Sequence, residues 1–200
     1  MSILLATDFE PNELADWRRM LEEALPDERF VTDRSEPAGI DIALVANPPP
    51  GALRDLPGLR LIQSMWAGVD KLLADTTVPP DVPLARMVDP AMSAAMAETA
   101  LWAVLGLHRG YFDYARQQRA REWRVLPQRR ADEVHVVVLG LGAMGAACAQ
   151  QLAALGYRVS GWATRAAAVD GVAAHTGEAA LSALLREADI VLNLLPLTAA

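Results

Sequence analysis

Three glycines in the run Gly140-Leu-Gly142-Ala-Met-Gly145 stand where a main chain could hold a phosphate group. They follow an apolar stretch of strand length at 134–139 and precede a helical pattern at 146–155, which Gly156 ends. In that strand–turn–helix setting each glycine has a task. Gly140 makes the tight turn, Gly142 lets the backbone approach a pyrophosphate, and Gly145 lets the helix pack on the strand. Ala143 and Met144, within the turn, are candidate cofactor contacts, and the helix that follows offers free N–H groups and a positive dipole end to the phosphates. The expectation is a dinucleotide site.

The next strand pattern, 158–162, closes with Trp162-Ala163-Thr164-Arg165. An acid about twenty residues beyond the glycines would grip the ribose 2′-hydroxyl of NAD. No acid stands there. A hydroxyl and a guanidinium take its place, and these suit a 2′-phosphate. Trp162, Thr164 and Arg165 are therefore candidate cofactor contacts, with NADP(H) favoured and NAD(H) the alternative. A reductase also needs a proton donor that titrates near neutrality. His108 ends a long apolar helical pattern, His135 sits inside a strand pattern, and His175 lies in a loop of small residues. Spacing gives none of them a carboxylate partner, so all three are expected to be structural.

The elements around these residues alternate. Apolar runs at 3–6, 41–46, 59–63 and 83–88 read as strands, and Leu14, Trp17, Leu21 and Leu25 form one face of a helix over 12–25. Strands alternating with helices imply a parallel sheet with crossover helices. Residues 91–107 form an alanine- and methionine-rich helix, apolar on nearly every side and so expected to be buried, between domains or subunits. An arginine-rich helix and arm follow over 109–130 and read as a solvated surface. From 134 the strand and helix pattern restarts, with strands at 134–139, 158–162 and 190–194 and a short helix at 181–187. The uncharged stretch 134–157 is long enough for a bilayer span. Its spaced glycines and the pair Gln150-Gln151 read instead as strand, turn and helix.

The chain has 200 residues, 52% of them apolar and 22% charged, with 18 basic against 25 acidic side chains and a net charge of −7. That composition supports a packed core and excludes disorder as the main state. The negative balance argues against nucleic acid as a partner. One cysteine, Cys148, excludes an internal disulfide and a cysteine metal cluster, so no metal is expected. It suits a reducing compartment, taken here as the cytoplasm.

The loop Gln63-Ser-Met-Trp-Ala67-Gly68-Val69-Asp70 resembles the Gly-Ala-Gly-Val-Asp loop of D-isomer-specific 2-hydroxyacid dehydrogenases. The stretches 86–92 (Arg-Met-Val-Asp-Pro-Ala-Met) and Met96-Ala-Glu98 agree, as do Gln117-Gln118, 123–127 (Trp-Arg-Val-Leu-Pro) and the closing Leu194-Leu-Pro196-Leu-Thr198. Together they resemble the glyoxylate/hydroxypyruvate reductase A group over nearly the whole chain. The resemblance implies an α/β fold of two Rossmann-like, doubly wound domains with the active site in the cleft between them. The boundaries it suggests are a flavodoxin-like substrate domain at 1–90, a linking helix and dimerisation arm at 91–130, and part of a nucleotide domain at 131–200.

By the same resemblance, the N–H groups of Ala67, Gly68 and Val69 hold the substrate carboxylate. Physically that is a small nest helped by glycine's conformational freedom. Met96 lies near the cofactor, Leu195, Pro196 and Thr198 lie along its adenosine side, and the helix from Ala91 with the arm near Trp123 builds a homodimer. The implied reaction is NADPH-dependent reduction of a small 2-keto acid, glyoxylate or hydroxypyruvate, to the 2-hydroxy acid. Two departures stand out. Where the group often carries Trp-His before paired prolines, this chain has Ala46-Asn47. The group's catalytic Arg, Glu and His lie downstream of the Leu-Pro-x-Thr segment, beyond Ala200, so no catalytic residue is assigned within 1–200. The expectation is that these residues are part of a longer enzyme and inactive alone. The rival reading is a non-catalytic dinucleotide-binding regulator of the same fold.

Overall fold

The computed structural model describes residues 2–196. They divide into two units, 2–88 and Asp89–Pro196. The first holds β1 (Ser2–Thr7), α1 (Pro11–Ala24), β2 (Arg29–Val31), β3 (Ile40–Ala46), β4 (Leu61–Ser64), α2 (Asp70–Ala74) and β5 (Leu84–Ala85). Its strands are all parallel, in the order β2-β1-β3-β4-β5. That is the flavodoxin-like order, with the topological switch point between β1 and β3.

The inner strands are apolar on both faces, as a parallel sheet covered on both sides requires. Ile3, Leu5 and Phe30 pack with Leu14 and Leu21 of α1. Leu4, Ala43, Val45 and Ile62 pack with Leu53, Leu56 and Leu72. Pro11 sits at the first turn of α1, where its missing N–H leaves no bond unmade. The helix stops at Ala24, so Leu25, expected on the packed face, is 45% exposed instead. The strand expected over 83–88 shrinks to two residues. Pro83 has no N–H for the ladder and contributes only its carbonyl, which accepts from Ile62.

The second unit holds α3 (Pro90–His108), α4 (Tyr111–Ala120), β6 (His135–Leu139), α5 (Ala143–Ala154), β7 (Arg158–Trp162), β8 (Ala173–His175), α6 (Glu178–Glu187) and β9 (Ile190–Asn193). Its parallel sheet runs β8-β7-β6-β9, with the switch point between β6 and β9. Val136, Val138, Leu152 and Val159 form its core with Val104 of α3. The Asp89 carboxylate caps α3 by accepting the Ala91 N–H at 2.8 Å. Small side chains, Ala97 and Ala100, bring α3 close to α5 at the fully buried Cys148. Burial pushes that thiol's pKa up.

One expectation holds here. The stretch 134–157 divides into β6, a turn and a 12-residue helix. The described helix that is long and apolar enough to cross a membrane is α3, and only 22% of it is buried. Within the unit α3 buries Ala97, Ala100, Val104 and Gly106 and leaves Trp102 65% exposed.

The arm after α4 is extended but pinned. Tyr114 Oη accepts the Leu126 N–H at 3.1 Å, and Gln117 Oε1 accepts the Arg124 N–H at 2.9 Å. At its end Arg129 grips Asp189 with two N–H groups, at 2.6 and 3.1 Å, while Asp189 also accepts the His135 N–H at 2.8 Å. The Arg129 guanidinium, and next the His135 N–H, hold the Asp189 carboxyl below the usual carboxylate value. A depressed folded pKa gives stability that is complete above the ordinary value, about 3.9, and lost as pH falls through the lowered one. Asp189→Asn is therefore expected to cost about 1–2 kcal/mol near neutral pH, for the weakened ion pair and the lost N–H bond. It should also flatten the loss of melting temperature on acidification. A variant that melts like the parent both at neutrality and in acid would refute the clamp.

Candidate dinucleotide and carboxylate sites

The glycine turn lies at the switch point of the second sheet. Gly140 takes φ +93°, the left-handed region, directly after β6. A Cβ there would meet the Leu194 carbonyl oxygen at 2.8 Å, so the turn also needs glycine's bareness. Gly145 is buried in the first turn of α5, and a Cβ on it would overlap the Gly140 carbonyl oxygen. Gly142 differs. It is exposed, caps α5 with no side-chain bond, and has no atom within 4 Å of its would-be Cβ. The helix begins at Ala143, three residues earlier than its sequence pattern suggests. The N–H groups of Ala143, Met144 and Gly145 thus stand free at the helix start, the arrangement that favours an anion.

One contact escapes the sequence reading. Leu141 lies on Gly161 of β7, where a Cβ would come within 2.5 Å of its side chain. The signal is a glycine inside a strand, which marks a close approach. The loop after β7 begins at Ala163, whose N–H donates to the His175 carbonyl at 3.1 Å. Thr164 and Arg165 are exposed, and Arg165 has no ion pair among the described residues. The Trp162 indole donates to the Gly177 carbonyl at 2.9 Å, which fixes its ring at the strand end. Met96 packs against the Ala97, Ala100 and Cys148 cluster, as do Leu192 and Leu194 at the end of β9. Leu195 and Pro196 follow there, both exposed, and the Leu195 N–H donates to Asn193 Oδ1 at 3.1 Å. Thr198, expected along the adenosine side, lies outside the described residues. So does Ala200, beyond which the catalytic Arg, Glu and His are expected, and the structure described here bears on neither expectation.

In the first unit, the chain turns sharply after β4. Ser64 is buried, and its hydroxyl accepts the Trp66 N–H at 3.1 Å and donates to the Trp66 carbonyl at 2.9 Å. That bond pair sets the loop from which Ala67, Gly68 and Val69 project, and their N–H groups donate to no described residue. Gly68 does not take a positive φ, which corrects the expectation that conformational freedom serves here. What the glycine leaves is room: its would-be Cβ meets only Asp70 Oδ2, at 3.7 Å. Ala46 ends β3 fully buried, and exposed Asn47 follows with φ +46°.

Two of the histidines are committed elsewhere. His108 lies 2.7 Å from the Tyr157 hydroxyl through Nδ1 and 2.9 Å from the Arg129 carbonyl through Nε2. His135 is 3% exposed, with Nε2 at 2.8 Å from Ser160 Oγ and Nδ1 at 3.2 Å from the Glu187 carbonyl. Neither ring bonds a carboxylate. His175 is partly buried in β8.

Residues 101–200 match the profile described as D-isomer specific 2-hydroxyacid dehydrogenase, NAD binding domain. Curated relatives include glyoxylate/hydroxypyruvate reductase A of Serratia proteamaculans, 35% identical over 79% of this chain and 52% of that protein. The Klebsiella pneumoniae reductase A is 34% identical over 92% of this chain and 60% of its own length. The chain thus spans between half and two thirds of these relatives. Among solved structures, a D-isomer specific 2-hydroxyacid dehydrogenase from Xanthobacter autotrophicus, in complex with NADPH and MES, superposes with a TM-score of 0.88 at 36% identity, covering 99% of this chain and 64% of that one. An NADPH-dependent glyoxylate/hydroxypyruvate reductase from Sinorhizobium meliloti, in complex with NADP and sulfate, gives 0.84 at 32% identity, covering 99% and 63%.

Proposed function

The chain belongs to the D-isomer specific 2-hydroxyacid dehydrogenase family, and from that premise we propose that its protein reduces a small 2-keto acid to the 2-hydroxy acid with NADPH. The observation that carries the cofactor reading is the glycine turn at the β6/β9 switch point, where Gly140 and Gly145 have no room for a side chain while Gly142 faces open space. Those features fit a dinucleotide: the crowded glycines build the turn and the open one leaves an approach for its pyrophosphate. When bound, the dinucleotide supplies the hydride. The N–H groups of Ala143, Met144 and Gly145 receive the pyrophosphate. Thr164 and Arg165 hold the 2′-phosphate beyond Trp162, and Met96, Leu195 and Pro196 lend apolar contacts. The free N–H groups of Ala67, Gly68 and Val69 hold the substrate carboxylate, as successive unpaired donors do for small anions.

The exposed apolar surface of α3 and its surroundings supports a homodimer. Trp102 meets Phe112 edge-on at 5.9 Å, and Trp123 on the arm is 91% exposed. Exposed aromatic side chains on α3, α4 and the arm give a partner copy apolar surface to cover. The unpaired, buried Cys148 supports a cytoplasmic setting.

Cofactor choice supplies the test. Arg165→Ala should weaken NADPH binding by about ten- to hundred-fold, the loss of a charge-assisted phosphate bond of roughly 1.5–3 kcal/mol. NADH binding should change little. Titration of both cofactors by fluorescence measures this, and equal losses for the two would refute the assignment.

A further inference from the structure

The first unit contains a hollow of about 850 Å³ beside the carboxylate-binding loop, with Gly68 and Val69 in its lining. Sites for drug-sized ligands run to about 300–1,000 Å³. A two-carbon acid held at Gly68 would leave most of this space empty.

The rest of the lining is largely apolar. Pro48, Pro49 and Pro50 form one part and Leu72 another, and Trp66 stands beside them. The Trp66 ring is braced. Phe9 meets it edge-on at 6.2 Å and is itself stacked on Trp17 at 6.1 Å. Trp66 stands where the Gly-Ala-Gly-Val-Asp loop that this chain resembles has its first glycine. Asn47 and Trp66 both line the hollow, and the small Asn47 side chain leaves room for a ligand against the indole.

The charges in the hollow decide what kind of ligand fits. Asp70, Lys71 and Asp75 all line it, two carboxylates against one ammonium. Asp75 is already satisfied by the Thr77 N–H at 2.8 Å, the Thr77 hydroxyl at 2.6 Å and the Gly51 N–H at 3.2 Å. No surplus of positive charge awaits a second acidic group. An apolar substituent seated against the indole and the prolines, away from Asp70 and Lys71, gains contact there.

Resting on the 2-keto acid reading above, we propose that the natural substrate carries a bulky apolar or aryl side chain, seated between Trp66 and the Pro48-Pro49-Pro50 run, with its carboxylate on the N–H groups of Ala67, Gly68 and Val69. Trp66 is then a specificity-determining residue. The probes are phenylpyruvate, 4-methyl-2-oxopentanoate, glyoxylate and 2-oxoglutarate, each assayed with NADPH and the full-length natural protein. The first two should exceed glyoxylate in kcat/KM by at least about ten-fold, the scale on which apolar pockets discriminate. Trp66→Gly should lower kcat/KM for phenylpyruvate by about ten- to hundred-fold, mainly through KM, and lower it far less for glyoxylate. Trp66→Phe should restore most of the difference. Preference for glyoxylate or 2-oxoglutarate overturns the inference and leaves the reductase reading intact. So does an equal loss for all four acids in Trp66→Gly, which would make the ring merely structural. Turnover of none of the four, by protein that still binds NADPH, overturns both.

Discussion

A polypeptide of residues 1–200, given NADPH and glyoxylate or any of the larger 2-keto acids, is expected to show no turnover above the protein-free rate. Reduction of a ketone needs a proton delivered to oxygen, and a positioned donor is typically worth about 10²–10⁴-fold. Within the described residues the two best-defined imidazoles are spent on structure. His108 is tied to Tyr157 and to the arm at Arg129. His135 is buried between Ser160 and Glu187. The same polypeptide should retain measurable affinity for NADPH, because the turn, the free N–H groups of α5 and Arg165 are all present. Absorbance at the nicotinamide band follows turnover, and fluorescence follows binding. Robust turnover would place a proton donor inside these residues, with His175 the first suspect, and would refute the structural assignment of the histidines.

Gly145→Ala is expected to damage the second unit more than any other single methyl addition in the site. The new carbon would fall on the Gly140 carbonyl oxygen, a backbone atom that cannot swing aside. Either α5 lifts off the sheet or the Gly140 turn opens. Overpacking of this kind costs about 1–3 kcal/mol and more where main chain is displaced. Either movement also misdirects the N–H groups at the helix start, so NADPH affinity should fall by at least ten-fold. Gly142→Ala is the informative control. Its methyl has open space, so the melting temperature should hold, yet the methyl intrudes where the pyrophosphate must approach. Loss of affinity without loss of stability separates contact from architecture. A Gly145→Ala protein that melts and binds like the parent would refute the turn geometry.

What can be read in the sequence tracks where the physics is local. The inner strands β1, β3 and β6 show as apolar runs because a parallel sheet buries both of their faces. The edge strands β2 and β8 do not show. Arg29-Phe30-Val31 has one buried residue and Ala173-Ala-His175 has none, so only pairing with β1 and β7 makes them strands. The glycine turn is legible because its demands are steric and fall within six residues. The Arg129–Asp189 clamp is not, since its partners are 60 residues apart and nothing in either neighbourhood announces the other. Trp66 is visible as a residue but not as a wall, because the hollow it lines is completed by Pro48–Pro50 and α2, segments joined only through the fold.

The seat of Cys148 turns the second unit into its own reporter. The thiol lies fully buried at the junction of α3 and α5, and the chain has no other cysteine. With its pKa raised by burial, it is a poor nucleophile while the helices are together. A thiol reagent can therefore label this protein only during excursions that part the two helices. The labelling rate counts those openings, with no chemical modification needed to install the probe and no signal from the first sheet. Because the free N–H groups proposed to hold phosphate belong to α5, slower labelling on addition of a ligand would time how firmly that ligand staples the helix down.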